Sequence, residues 1–171
     1  MKNVYLIGGT MGVGKTATCR IMKSKLDNSV FLDGDWCWDM HPFQVTDETK
    51  QMVMKNICFL LNSFIQCSAY DNIVFCWVMH EQAIIDDIVS RLDTENCNVH
   101  ILSLICNKQA LQARLQKDVD AGIREKGVIR RSTERIPLYE KLHTGKVDVS
   151  EIKPDEAAEL IIRRYGSDER K

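Results

Sequence analysis

The octapeptide Gly9-Thr10-Met11-Gly12-Val13-Gly14-Lys15-Thr16 fits the pattern G-x-x-x-x-G-K-[ST] at every fixed position. Its glycines let the backbone wrap closely around an anion, with successive N–H groups turned inward. A helix opening at Lys15 presents the positive end of its dipole to the same anion. Lys15 then reaches the β- and γ-phosphates of a nucleotide, and the Thr16 hydroxyl is placed to ligate Mg²⁺. The pattern carries this meaning only between a strand and a helix. Residues 4–7 form a short apolar run that reads as the strand, and residues 15 to about 26 read as the helix.

Outward from this loop the alternation continues. Asp27-Asn28-Ser29 is turn chemistry, and residues 30–32 are a second short strand. Val53, Ile57, Leu60, Leu61 and Phe64 recur at helical spacing within 46–69, with Thr46 as N-cap and Asp47 and Glu48 in the first turn. Residues 73–79 are apolar on both faces, as a central parallel strand is. A helix over 81–92, a strand over 99–106 and a helix from 108 to about 121, capped by Asn107, follow. A polar stretch at 122–127 leads to a helix near 132–142. Residues 147–149 are a fifth strand, and Pro154 opens a last helix that ends before Gly166. Strands alternating with helices argue one layered α/β domain over 1–171, with a five-stranded, mostly parallel sheet. Residues 167–171 are expected to fray.

Bulk properties narrow the function. The chain has 171 residues, a 44% hydrophobic fraction and a formal net charge of −1. That balance argues against a nucleic-acid or anionic-membrane partner. No apolar run approaches the roughly 20 residues of a membrane span. The glycine-rich loop begins too early to leave room for a signal peptide. Seven cysteines, an odd number without C-x-x-C spacing, argue against a disulfide framework or a zinc knuckle. The expectation is a cytoplasmic protein, a monomer or weak dimer.

The second strand ends in Leu32-Asp33-Gly34-Asp35. Ligands of open parallel sheets bind at the carboxyl ends of the strands, so both acids should lie near the phosphates. Alternation along an extended segment would put Asp33 and Asp35 on one side. Phosphoryl transfer to a hydroxyl needs one acid for the Mg²⁺ shell and one for the nucleophile. Asp33 is assigned to the metal, with Thr16, and Asp35 to the acceptor hydroxyl.

Residues 9–16 followed by Leu32-Asp33-Gly34-Asp35 resemble the small-molecule branch of the P-loop kinases. Adenylylsulfate kinase carries a similar Leu-Asp-Gly-Asp. Gluconate kinase follows that run closely with His-Pro, echoed here by His41-Pro42, and shikimate kinase and chloramphenicol phosphotransferase share the plan. The resemblance implies a nucleoside-kinase-like, three-layer α/β/α P-loop NTPase fold with a helical lid, using ATP and Mg²⁺. It makes Arg124, Arg130, Arg131 and Arg135 lid candidates within about 118–136, and Arg114 a candidate for the adenine face. Nine basic residues against five acidic ones between Lys108 and Lys141 suit a lid that stabilises a transferring phosphoryl group. One departure is that Arg114-Leu115 is followed by Gln116-Lys117-Asp118, without the second arginine common in such kinases.

The third strand ends Val78-Met79-His80-Glu81, with no aspartate for a metal; Glu81 and His80 read as caps of the next helix. Trp36, Trp38, Asp39, Met40, His41, Pro42 and Phe43 form the expected acceptor region. No arginine occurs from Ile21 to Ser90, where a nucleoside monophosphate kinase would clamp its acceptor phosphate. The expectation is therefore transfer of the γ-phosphate of ATP to the hydroxyl of a small molecule, such as a sugar acid, a nucleoside or an antibiotic-like alcohol. Lys15, Asp35, Arg124 and Arg131 are the catalytic candidates. A nucleotide kinase and a non-catalytic nucleotide-binding regulatory module are the alternatives.

Overall fold

The computed structural model describes residues 1–166, so the fraying expected at 167–171 lies outside the described residues. Five strands, β1 (Lys2–Gly8), β2 (Ser29–Asp33), β3 (Asn72–Trp77), β4 (Cys97–Ile105) and β5 (Gly145–Asp148), form one sheet in the order β2-β3-β1-β4-β5. Every pairing is parallel, not only most of them. The helices are α1 (Lys15–Lys25), α2 (Asp47–Gln66), α3 (Gln82–Arg91), α4 (Lys108–Asp120), α5 (Gly127–Glu134), α6 (Ile136–Glu140) and α7 (Pro154–Tyr165). A 3-10 helix, Gly34–Trp38, follows β2.

Strand alternation divides the core in two. Tyr5, Ile7, Val74, Cys76, Leu102 and Leu104 face one way, onto Cys19 and Met22 of α1, Leu111 and Leu115 of α4 and Ala157, Ala158 and Ile161 of α7. Val4, Leu6, Ile73 and Phe75 face the other, onto Val53, Ile57 and Leu61 of α2 and Ile85 and Ile88 of α3. The result is a three-layer α/β/α sandwich. Each large apolar side chain fully removed from water contributes about 1.5–3 kcal/mol, so both layers are held by burial.

Local chemistry sets the element ends. Thr46 caps α2: its hydroxyl accepts from Thr49 N at 3.1 Å, while Thr49 Oγ1 accepts from Thr46 N at 2.8 Å. Asn107 caps α4 by accepting from Ala110 N at 2.8 Å. Pro154 occupies the first turn of α7. The single helix expected near 132–142 is two helices, α5 and α6, meeting at Arg135. Pro137 is the cause. It has no N–H to give Thr133, and its ring crowds that carbonyl, so the helix cannot run through. Glu81 stands at the N-cap position of α3, but its side chain makes no cap bond, contrary to the capping role expected of it.

Strand register then locates the ligand side. Ile7 on β1 is level with Cys76 on β3, and Cys76 is level with Asp33 on β2. The loop that leaves β1 and the acid that ends β2 therefore emerge at the same height. The chain runs from central β1 to one edge of the sheet, then returns to build the other side. Such a reversal is where open α/β sheets bind ligands.

Candidate active site

The loop between β1 and α1 is shaped by its glycines. Gly12 has φ +82°, and a Cβ there would stand 2.4 Å from Leu115 of α4, so only glycine fits. Gly14, in the left-handed region at φ +105°, is the N-cap of α1. It offers no side-chain cap, and the first turn of α1 contains no acid. The opening amides of this helix are thus left for an external anion, with no acid of the helix itself to meet its dipole. Lys15 Nζ folds back onto the Thr10 carbonyl at 3.1 Å. Burial pulls the Lys15 ammonium below its ordinary pKa, opposed by Cys76, Asp35 and Asp33. An arriving phosphate would restore the preference for the charged form.

Asp33 is 5% exposed at the end of β2. Thr16 Oγ1 donates to Asp33 Oδ2 at 2.6 Å, so the two residues assigned to the metal stand in contact. Asp33 Oδ1 accepts from Asp35 N at 3.1 Å and caps the 3-10 helix. Asp35 thus reaches the site through a turn that Asp33 holds, rather than by strand alternation as the sequence suggested. Gly34 permits this turn, because a Cβ there would lie 2.5 Å from Cγ of Trp77. Burial raises the Asp35 carboxyl above the usual aspartate range, and the charge of Asp33 adds to that. Lys15, Arg124 and hydrogen bonding from the Trp77 side chain pull the other way. Lys15, Thr16, Asp33 and Asp35 form one constellation at the C-terminal ends of β1 and β2.

The basic segment divides. Arg124 Nε pairs with Asp118 Oδ2 at 3.0 Å and lies near enough to Asp35 to act on its charge. Arg135 stands by His80 and Tyr139 and affects the titration of both. Arg130 only faces Glu134, at 4.0 Å on the exposed side of α5. Arg131 is exposed, and among the described residues no contact joins it to the site. Arg114 is turned inward. Its guanidinium donates to the Val13 carbonyl at 3.2 Å and to the Val149 carbonyl. With Val13, Gly14, Val149, Ile152 and Pro154 it lines a mostly apolar cavity of about 290 Å³ beside the loop.

On the acceptor side the two tryptophans part. Trp36 packs edge-on against Phe31 and lines a cleft with Arg20 and Lys23 of α1, at the outer edge of β2. Trp38 packs on the α2 side of the core and meets Phe43, with ring centroids 5.7 Å apart. Trp77 is the indole that meets Asp35. In sequence it lies within the apolar run 73–79 and looks like core. Glu81 pairs with its neighbour His80, Oε1 to Nε2 at 3.4 Å. Among the described residues no cluster of three or more His, Cys, Asp or Glu is set to hold a metal. No helix among them is long and apolar enough to cross a membrane, and all seven cysteines are free.

A central strand, a glycine loop and an uncapped helix facing a buried acid define a P-loop domain of the small-molecule kinase type. The chain belongs to the AAA domain family, which residues 6–136 match. No curated protein matches the sequence. Among solved structures, the fold is similar to that of the Deinococcus radiodurans tunicamycin resistance protein, with 15% identity, 98% of each chain covered and a TM-score of 0.68. It is also similar to a gluconokinase from Sinorhizobium meliloti 1021, with 14% identity over 96% of this chain and 91% of that one, TM-score 0.70. Shikimate kinase from Acinetobacter baumannii, in complex with shikimate, shares 17% identity over 100% of this chain and 96% of its own, TM-score 0.62.

Proposed function

We propose that this protein is an ATP-dependent kinase that transfers the γ-phosphate to a hydroxyl of a small molecule, such as a sugar acid, a nucleoside or an antibiotic-like alcohol. The observation that carries the reading is the 2.6 Å bond from Thr16 of the phosphate loop to Asp33, with Asp35 held one turn away beside Lys15. The likeness in fold to a gluconokinase and a shikimate kinase supports the class, though not the acceptor.

The roles follow from the chemistry of each group. Backbone amides of residues 11–16 and the Lys15 ammonium hold the phosphates. The Thr16 hydroxyl and the Asp33 carboxylate are hard oxygen donors, and they suit Mg²⁺, which keeps most of its waters and binds few protein oxygens. When bound, that ion neutralises charge on the phosphates. Asp35, accessible at the mouth of the site, orients the acceptor hydroxyl and takes its proton. Arg124 leaves Asp118 for the charge that develops on the transferred group. Arg114 and the apolar wall of the neighbouring cavity receive the adenine.

One feature favours an acceptor without a phosphate over a nucleoside monophosphate. The face between α2 and the 3-10 helix carries no arginine. Phe43 and Val45, 66% and 56% exposed, stand on this face beside exposed His41 and Gln44. A nucleotide kinase would lack its clamp there.

The test is ADP release from Mg·ATP across a panel of sugar acids, nucleosides, monophosphates and antibiotic-like alcohols. At least one sugar acid, nucleoside or antibiotic-like alcohol should be phosphorylated, and Asp35→Asn should cut its kcat by about 10²–10⁴-fold while ATP still binds. Turnover of a monophosphate alone would instead establish a nucleotide kinase. Tight ATP binding with no acceptor, unaffected by Asp35→Asn, would establish a regulatory module.

A further inference from the structure

Ser132 lies on α5, fully buried, 121 residues in chain from the loop it touches. Its hydroxyl donates to the Met11 carbonyl, inside the phosphate loop. Thr10, 3% exposed, places Oγ1 2.7 Å from Ser132 Oγ and 2.9 Å from the Ser132 carbonyl. The hydroxyl protons can be assigned one by one. Ser132 has a single proton, and it goes to Met11. Thr10 is therefore the donor across the 2.7 Å contact, sharing its proton between the Ser132 hydroxyl and carbonyl. Both hydroxyls of the pair have partners, and both residues are buried. Truncating either partner would strand a buried donor or acceptor.

We propose that Ser132 is a positioning residue: it fixes the Thr10 and Met11 peptide units of the phosphate loop and ties α5 to that loop. The proposal rests on reading residues 9–16 as a nucleotide phosphate site. A Met11 carbonyl and a Thr10 side chain held from behind leave the inward amides aimed in one direction, so less order remains to be imposed when phosphate binds. The tie also splits the basic segment. Val128, 3% exposed, and Ser132 seat α5 in the core, so α5 belongs to the fixed body. Residues 121–126, which carry Arg124, are left as the movable part. Gly122, at φ +70°, and Gly127 bound that stretch, and a Cβ on either would meet nothing within 4 Å. Arg135, one turn beyond Ser132, is thereby held at a set distance from the loop.

Amide hydrogen exchange on the ligand-free, full-length protein tests this, because it reads local opening without any reaction. In Ser132→Ala, amides of residues 10–14 should exchange about tenfold faster, while those of β4 and α2 keep their rates. Thr10→Val should do the same, and Thr10→Ser, which keeps the donor, should retain slow exchange. The Kd for Mg·ATP should rise about tenfold in Ser132→Ala, with the acceptor KM unchanged within about twofold. Wild-type exchange at residues 10–14 in Ser132→Ala, or acceleration spread evenly over the sheet, would overturn the proposal. A wild-type protein that binds no nucleotide, yet whose loop still loosens in Ser132→Ala, would refute the functional reading and leave the tie standing.

Discussion

Asp35 sits where two carboxylates share one neighbourhood, and that arrangement has a cost and a use. Its carboxyl is raised by burial and by Asp33, so the folded protein holds a proton there at pH values where the unfolded chain has lost it. Stability from this group is thus present below the ordinary aspartate value and is lost as pH rises through the raised folded value. Asp35→Asn removes the penalty, and the ligand-free variant should melt higher than wild type at pH 7 in a thermal scan. The same shift makes Asp35 a better proton acceptor. The acid limb of log kcat/KM should lie above the usual aspartate range and vanish in Asp35→Asn. The acids at 33 and 35 were legible in sequence, because an acid pair at the end of a strand is a local pattern. Their division of labour was legible only as an assignment from chemistry. Trp77 and Arg124, which pull against that rise, come from distant segments, and no spacing rule links them to residue 35.

Short elements, rather than the long helices, aim the site. The 3-10 helix Gly34–Trp38 places Asp35 at the mouth of the site, and it exists because Asp33 caps it and because Gly34 lies close against Trp77. Gly34→Ala would force a Cβ to within 2.5 Å of the indole. It should destabilise the protein by about 1–3 kcal/mol by overpacking, read as a fall in the urea midpoint at constant m. It should also lower kcat more than it raises the KM for ATP, because Asp35 moves while the phosphate loop does not. The break between α5 and α6 is of the same kind. Pro137 marks it in the sequence, although the expectation there is one helix near 132–142. Caps at Thr46, Asn107 and Pro154 were readable because capping acts over three or four residues.

Taken whole, the molecule is a sheet whose ligand side is built to be completed by an anion. Loop amides, the uncapped α1 and a lysine held below its usual pKa all favour a bound phosphate. Nucleotide binding should therefore stabilise the fold through mass action, by about 2.7 kcal/mol at 100 times its Kd. A melting scan should show Tm rising with Mg·ATP concentration, and Lys15→Ala should abolish the rise. A flat Tm in the wild type would deny that residues 9–16 hold a nucleotide. The sequence alone determined the phosphate loop, the alternation of strands and helices, the apolar third strand and the acid pair, because each is written in neighbouring residues and in periodicity. Only the tertiary structure decided the strand order and the register that levels Asp33 with Ile7. It alone sent Trp36 to the outer edge and Trp77 to Asp35, and it seated Ser132 against Thr10. Those contacts join segments far apart in the chain, and which segments meet is settled by how the two apolar faces of one sheet are covered together.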